Sequence, residues 1–277
     1  MMKRILLFLA LVILFGCNKN EDEIYSVLFD INDSNYPTRY RKLSPLEREN
    51  KQKEFEQGQF TFAEIDSFGF VGWSYNSDYE VRKQLYKNQF TDVATLITEA
   101  KLYLVEKSQF TGIIDTAQLV PQKTDARFLD FGGTYSRPDS SVYNHLGISF
   151  GEQEIDGLEV YNSLLNISAN ATGVHHIFGH WYPDVYIPPT DQVSVELAKT
   201  VLTGRELTSY NGWHQKLTHI ISEPDLQEYR KIIYPYITKN HLELRVCWEF
   251  KPSHWQIFMD TTTGEILLER DTNFYPL

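Results

Sequence analysis

Apolar positions change their spacing partway along this chain, and the change divides it. Between residues 91 and 106, Val93, Leu96, Ile97, Ala100 and Leu104 recur at intervals of three and four. That spacing puts them on one stripe of a helix, with Thr91-Asp92 placed to cap its start. The helical region around it is expected to run from about Ser77 to Gln109. The stripe is read first as core contact, with a partner-docking face as the alternative. A second helix is expected at Ser44-Pro45-Leu46-Glu47, where serine can cap, proline fits the first turn and Glu47 completes a capping box. It should end near Gly58. Residues 66–75, with Phe68, Phe70, Trp73 and Tyr75, are aromatic and glycine-spaced, and read as a packed loop or short strand.

From Ala126 the period shortens to that of strands separated by turn signals. Ile155-Asp156-Gly157 punctuates two strand-like runs as a hairpin turn, since Asp and Gly accept positive φ. An internal echo follows. Residues 166–177 and 256–267 each read as strand, turn, Thr-Gly and strand, and each is followed by an aromatic and a proline. Two small α+β modules in tandem would produce the echo, as would coincidence between two common hairpins. Between them Ser194 caps a short helix whose apolar face is Leu197, Ala198, Val201 and Leu202, ended by Gly204. The rest, to Arg270, reads as an antiparallel meander. The expected architecture is therefore α+β. It divides into a segment 1–16, a tether at 17–43, a helical region at 44–125, and two modules at 126–190 and 191–277.

The first segment has its own pattern. Lys3 and Arg4 precede twelve mainly apolar residues, Ile5 to Gly16, and then Cys17. Twelve helical residues reach only about 18 Å, short of a hydrocarbon layer of roughly 30 Å, so this is an export signal rather than a membrane span. Leu14-Phe15-Gly16-Cys17 resembles the lipobox of bacterial lipoproteins, which implies a lipid on Cys17. Glu21-Asp22-Glu23 resembles the acidic signal that sends some Bacteroidetes-type lipoproteins to the outer cell surface; a solvated spacer is the plain alternative. The implied location is the cell envelope, on either face of the outer membrane, held by the lipid alone.

Charge narrows the partners. The net charge is −11, and removing residues 1–16 leaves 24 basic against 37 acidic side chains. An acidic surface with no basic run excludes nucleic acid and adsorption to anionic head groups. With Cys17 acylated, Cys247 has no intramolecular partner and reads as a small buried hydrophobe in a strand.

Phe150-Gly151-Glu152-Gln153-Glu154-Ile155-Asp156-Gly157-Leu158-Glu159-Val160 resembles the middle of the propeptide domain of thermolysin-type metallopeptidases, where a strand carrying Gln leads into a glycine turn. The end of that segment corresponds to Gly179-His180-Trp181-Tyr182-Pro183-Asp184. The short helix, with residues 255–267, resembles the PepSY module. The resemblance covers about residues 126–272 and implies a cystatin-like arrangement, a helix on an antiparallel sheet, twice. Such modules usually precede a zinc peptidase, but no H-E-x-x-H stands in this sequence. What the resemblance implies is a non-catalytic protein that binds, inhibits or assists the folding of an exported protein such as a metallopeptidase. The rival expectation is capture of a peptide, glycan or metal. No cofactor is expected.

Candidate chemistry is thin. His175, His176 and His180 lie within six residues, and His214 and His219 follow, but His176 and His180 on a strand sit about 13 Å apart, too far for one ion. They stand as weak metal candidates. Glu152 and Glu154 share a strand face, where acid–base work is conceivable and solvation is the ordinary outcome. Trp181, Tyr182, Tyr186 and Trp213, with Trp248 and Trp255, could line a groove for an extended peptide or sugar, or could be core.

Overall fold

The computed structural model describes residues 35–56, 60–75, 89–129, 135–136, 142–183, 185–210 and 216–273. Cys17, the signal segment, Gly58, Trp213 and His214 lie outside them. The chain is α+β, with short helices and antiparallel sheets. It forms two compact units. One takes Asn35–Pro188 and Arg230–Glu249; the other takes Pro189–Tyr229 and continues from Phe250.

The larger unit is built on a seven-stranded sheet. Its strands are β2 (Phe62–Ile65), β3 (Val71–Tyr75), β4 (Lys123–Leu129), β5 (Tyr135–Ser136), β6 (His145–Ser149), β9 (Leu165–Asn170) and β10 (Gly173–Gly179). Their spatial order is β2-β3-β10-β9-β6-β4-β5. Among the described residues the pairings of this sheet are antiparallel, from Phe62↔Tyr75 at one side to Lys123↔Ser149 toward the other. Alternation along these strands sends Ala63, Ile65, Leu146, Ile148, Ile167, Ala169 and Ile177 to one face, where they are buried.

Helix α2 (Val93–Glu106) contributes Leu96, Ala100 and Leu104 to the core cluster those strand residues form. The predicted stripe is therefore core contact, and its cap is real: the Thr95 N–H donates to Asp92 Oδ1 at 3.0 Å. Helix α1 (Pro45–Glu56) adds Phe55, stacked on Phe60 and edge-on to Phe110, each at 5.1 Å. Its capping box forms as read, with Ser44 N–H donating to Glu47 Oε2 at 2.8 Å and Glu47 N–H to Ser44 Oγ at 3.3 Å.

Two sequence boundaries need correction. The stretch 44–125 is not purely helical, because β2 and β3 lie inside it. Four- and five-residue strands with glycine-spaced aromatics carry too little alternation to announce themselves. The stretch 17–43 is not tether throughout: β1 (Thr38–Arg41) pairs with β14 (His241–Phe250) in the register Thr38↔Leu244. Tyr36 is buried and accepts the Val246 N–H at 2.9 Å. A second apolar cluster of this unit joins Tyr36, Phe70, Val160, Tyr182 and Val185 to Ile233 of β13 (Tyr229–Ile237) and to Leu242, Leu244 and Val246 of β14. The expected modules therefore do not follow one another in sequence. Strands from 191–277 complete the unit that holds 126–190.

The Asp156-Gly157 turn joins β7 (Glu154–Ile155) to β8 (Leu158–Glu159), with φ of 50° and 79° at its two corner residues. This is the hairpin the dipeptide predicted.

The smaller unit holds α3 (Val195–Leu202), the hairpin β11 (Glu206–Tyr210)–β12 (Lys216–Ile220), and the hairpin β15 (Trp255–Asp260)–β16 (Ile266–Asp271). Ser194 caps α3, accepting the Leu197 N–H at 3.3 Å, and Ala198 and Leu202 are buried. The echo proves to be two hairpins of like construction. In β9–β10 Asn170 Oδ1 accepts the Thr172 N–H, and in β15–β16 Asp260 Oδ1 accepts the N–H groups of Thr262 and Thr263. Both also carry a bulge, at Val174/His176 and at Phe258/Met259. Cys247 is fully buried in β14, as its apolar neighbours implied.

Candidate functional site

The face of the seven-stranded sheet opposite α2 is built differently from its core face. On the three strands at one side, register places Phe62, Tyr75 and His176 in one row and Glu64, Trp73 and Phe178 in the next. Three of these rings touch: Phe62–Trp73 at 5.9 Å, Phe62–Tyr75 at 5.0 Å and Trp73–Tyr75 at 5.2 Å between centroids. Trp73 nevertheless keeps 42% of its surface exposed and Phe178 49%. An exposed ring seated in such a cluster, with a second exposed ring paired opposite it in the sheet, is unlike the scattered exposed apolar residues of an ordinary surface.

The patch is held in a fixed shape. Trp73 Nε1–H donates to His176 Nε2 at 3.0 Å, so that ring nitrogen must carry no proton. Burial lowers the His176 pKa and favours the same neutral state. Along both rows the next strand, β9, supplies Ser168 and Asn166, and Ser149 of β6 donates to Asn166 Oδ1 at 2.5 Å. Aromatic rings thus give way to hydroxyls and an amide across the sheet.

The histidines divide. His175 and His145 lie with ring centroids 5.7 Å apart. Burial first, then the neighbouring histidines, pushes His175 down to about 3; burial and then Arg127 lower His145. His180 stands apart, against Gly72, where an added Cβ would lie 2.9 Å from His180 Cε1. Among the described residues no three His, Cys, Asp or Glu side chains converge as a metal site. The aromatic candidates fare differently from the groove expectation. Trp181 and Tyr182 are buried, at 2% and 7% exposure, and Tyr186 is half-buried against the second cluster. They are core. Among the described residues of the seven-stranded sheet, the exposed rings are Trp73 and Phe178, which sequence reasoning left as part of a packed loop and a strand.

A second feature of this unit is a cleft of about 330 Å³ lined by Gln122, Gly151, Glu152, Glu154, Glu159 and Leu164. The hairpin register sets Glu154 directly opposite Glu159. Arg230 Nη1 reaches both oxygens of Glu159 at 2.7 Å, and its Nε also bonds the buried Glu249. The Glu159 carboxyl in the same cleft, with burial, pushes the Glu152 carboxyl up to about 7. Gln153 between them turns the opposite way and is 1% exposed. Its Nε2 donates to Tyr182 O at 2.7 Å and its Oε1 accepts the Tyr182 N–H at 3.0 Å.

No family model matches the sequence, and no curated protein matches it. Among solved structures, the Bacillus megaterium YpeB C-terminal domain overlaps 92% of this chain and 99% of its own at 14% identity, with a TM-score of 0.29. An overlay that loose transfers neither an architecture nor a role.

Proposed function

We propose that this chain is a non-catalytic, lipid-anchored envelope protein that docks an exported polypeptide on the open face of its seven-stranded sheet. The observation that carries the reading is the Trp73–Phe178 patch: exposed Trp73, packed on Phe62 and Tyr75 and held by His176, with exposed Phe178 paired across from it in the sheet. Tryptophan and tyrosine anchors surrounded by supporting contacts are the usual energetic centre of a protein interface. Beside them β2 is the last strand of the sheet among the described residues. The resemblance of residues 126–272 to peptidase propeptide and PepSY modules supports a peptidase as the partner, restrained or assisted in folding. The Cys17 motif supports attachment through lipid.

The test uses residues 18–277 as bait in a native envelope extract, alongside a Trp73→Ala/Phe178→Ala bait of equal thermal stability. A specific exported protein held by the first bait should bind the double variant at least about tenfold more weakly, the loss expected when interface anchors are truncated. Equal retention by both baits would sink the proposal. The run of rings beside Asn166 and Ser168 also suits a sugar. If oligosaccharides raise the melting temperature of the wild type and not of the double variant, the occupant is a glycan.

A further inference from the structure

We propose that His145 and His175 form a two-coordinate site for a soft, singly charged metal ion of the Cu(I) type on the open face of the seven-stranded sheet. The proposal goes beyond the docking reading and does not depend on it.

The sheet brings these two rings together through an irregularity. His145 opens β6, next to buried Leu146, and so takes the face opposite the core. In a regular strand neighbouring residues take opposite faces, so buried Val174 would send His175 outward and His176 back into the core. β10 instead carries a bulge between Val174 and His176. His176 accepts the Trp73 Nε1–H on the open face, and His175 lies against His145 with ring centroids 5.7 Å apart and planes 50° from parallel. The extra residue lets two successive histidines share one face. Re-aiming a side chain in this way is a common use of bulges beside functional sites.

The two rings have unused nitrogens. His145 Nδ1 and His175 Nε2 are both buried, and neither hydrogen-bonds another group of the protein. Polar atoms buried in that state are costly and uncommon, and here two of them belong to rings in contact. Burial holds both imidazoles neutral near pH 7, and a neutral imidazole offers one bare lone pair to a metal.

Size and charge select the ion. A metal about 2.0 Å from each nitrogen, with the nitrogen about 1.1 Å from its ring centre, joins centroids up to about 6 Å apart. The observed 5.7 Å falls within that reach. Among the described residues no third His, Cys, Asp or Glu side chain joins the pair, and the His176 Nε2 is already engaged by Trp73. Zinc seeks four ligands, whereas Cu(I) and Ag(I) accept two, and imidazole suits copper. On β4, Arg127 pairs across from His145 in the sheet and is itself ion-paired with Asp125, so the surroundings carry little net charge. With no anionic ligand, a single positive charge is far cheaper to bury than a double one.

The test titrates residues 18–277 with silver nitrate in chloride-free buffer at pH 7, Ag(I) serving as the redox-inert probe. Calorimetry should show one site that is weakened at least about tenfold in His145→Gln and in His175→Gln, and kept in His241→Gln. The buried Cys247 thiol is common to all four proteins, so binding there leaves them alike. Unchanged affinity in both ring variants would overturn the proposal. Nitrogen-15 spectra of the wild-type imidazoles give a check that needs no variant. Ag(I) should move the ring signals of His145 and His175 and leave those of His176 in place. Ring signals of His145 and His175 that ignore Ag(I) would mean that water alone answers these nitrogens, and the site would be withdrawn.

Discussion

Gly179→Ala is expected to be the most damaging single-methyl change in the larger unit, costing about 4 kcal/mol or more. Two costs coincide there. The backbone has φ +121°, which side-chain-bearing residues rarely adopt, and an added Cβ would lie 2.0 Å from the Leu164 carbonyl oxygen and 2.9 Å from its carbon. Strain at such a φ is worth about 1–3 kcal/mol, and an overpacked site adds about 1–3 kcal/mol more. The neighbour cannot step aside cheaply, because Leu164 O also accepts the His180 N–H at 3.2 Å and Leu165 pairs with Gly179 in the sheet. Gly157→Ala supplies the control. Its φ of +79° is also unfavourable, yet nothing lies within 4 Å of the added carbon. Chemical denaturation should therefore show a loss near 1 kcal/mol for Gly157→Ala, the order of a positive-φ penalty alone. Equal losses for the two variants would mean that the close approach at Leu164 has no energetic weight.

Gln153→Leu is expected to cost about 3 kcal/mol or more. The side chain is buried and answers both backbone groups of Tyr182, its amide donating to the carbonyl and its oxygen accepting the N–H. Leucine fills similar space and can do neither. Two buried backbone groups would lose their partner, each costing about 1–3 kcal/mol. Tyr182 packs into the second apolar cluster, with its ring edge-on to Phe70 at 5.8 Å, so the loss should spread to that cluster rather than stay local. Urea unfolding of Gln153→Leu beside Glu154→Gln separates the buried amide from the exposed residue next to it. A midpoint for Gln153→Leu equal to that of the wild type would show that water answers Tyr182 equally well.

Features written in short sequence windows were legible without a structure. Ser44-Pro45-Leu46-Glu47, the Asp92 cap with its stripe to Leu104, the Asp156-Gly157 turn and Ser194 all specify local geometry through groups a few residues apart, and each forms as read. The α+β class followed from the change of period. Pairing between distant strands was not legible, because alternation says which face a residue takes and not which strand lies beside it. That is why β2 and β3 went unseen within a helical stretch and β1 within a tether. It is also why the patch was missed. Phe62, Trp73 and Phe178 come from three strands, and their meeting depends on β3 lying next to β10, a partner about a hundred residues away. Trp181 and Tyr182 drew notice because they are adjacent aromatics, a pattern that a buried turn and an exposed groove share. The carboxyl pair stood in between: a two-residue hairpin at Asp156-Gly157 already sets Glu154 against Glu159, while Arg230 could come only from the fold.

The larger unit draws on two separated pieces of chain, Asn35–Pro188 and Arg230–Glu249. Ile233, Leu242, Leu244 and Val246 arrive only with the second piece, and without them Tyr36, Phe70, Val160 and Tyr182 have an unfinished core. A chain that emerges from its N-terminus therefore cannot close this unit until residues 230–249 have followed. Closure of the larger unit is thus a late event in synthesis. It also means that a cut between the two expected modules, near residue 190, would divide the second apolar cluster of the larger unit between two fragments.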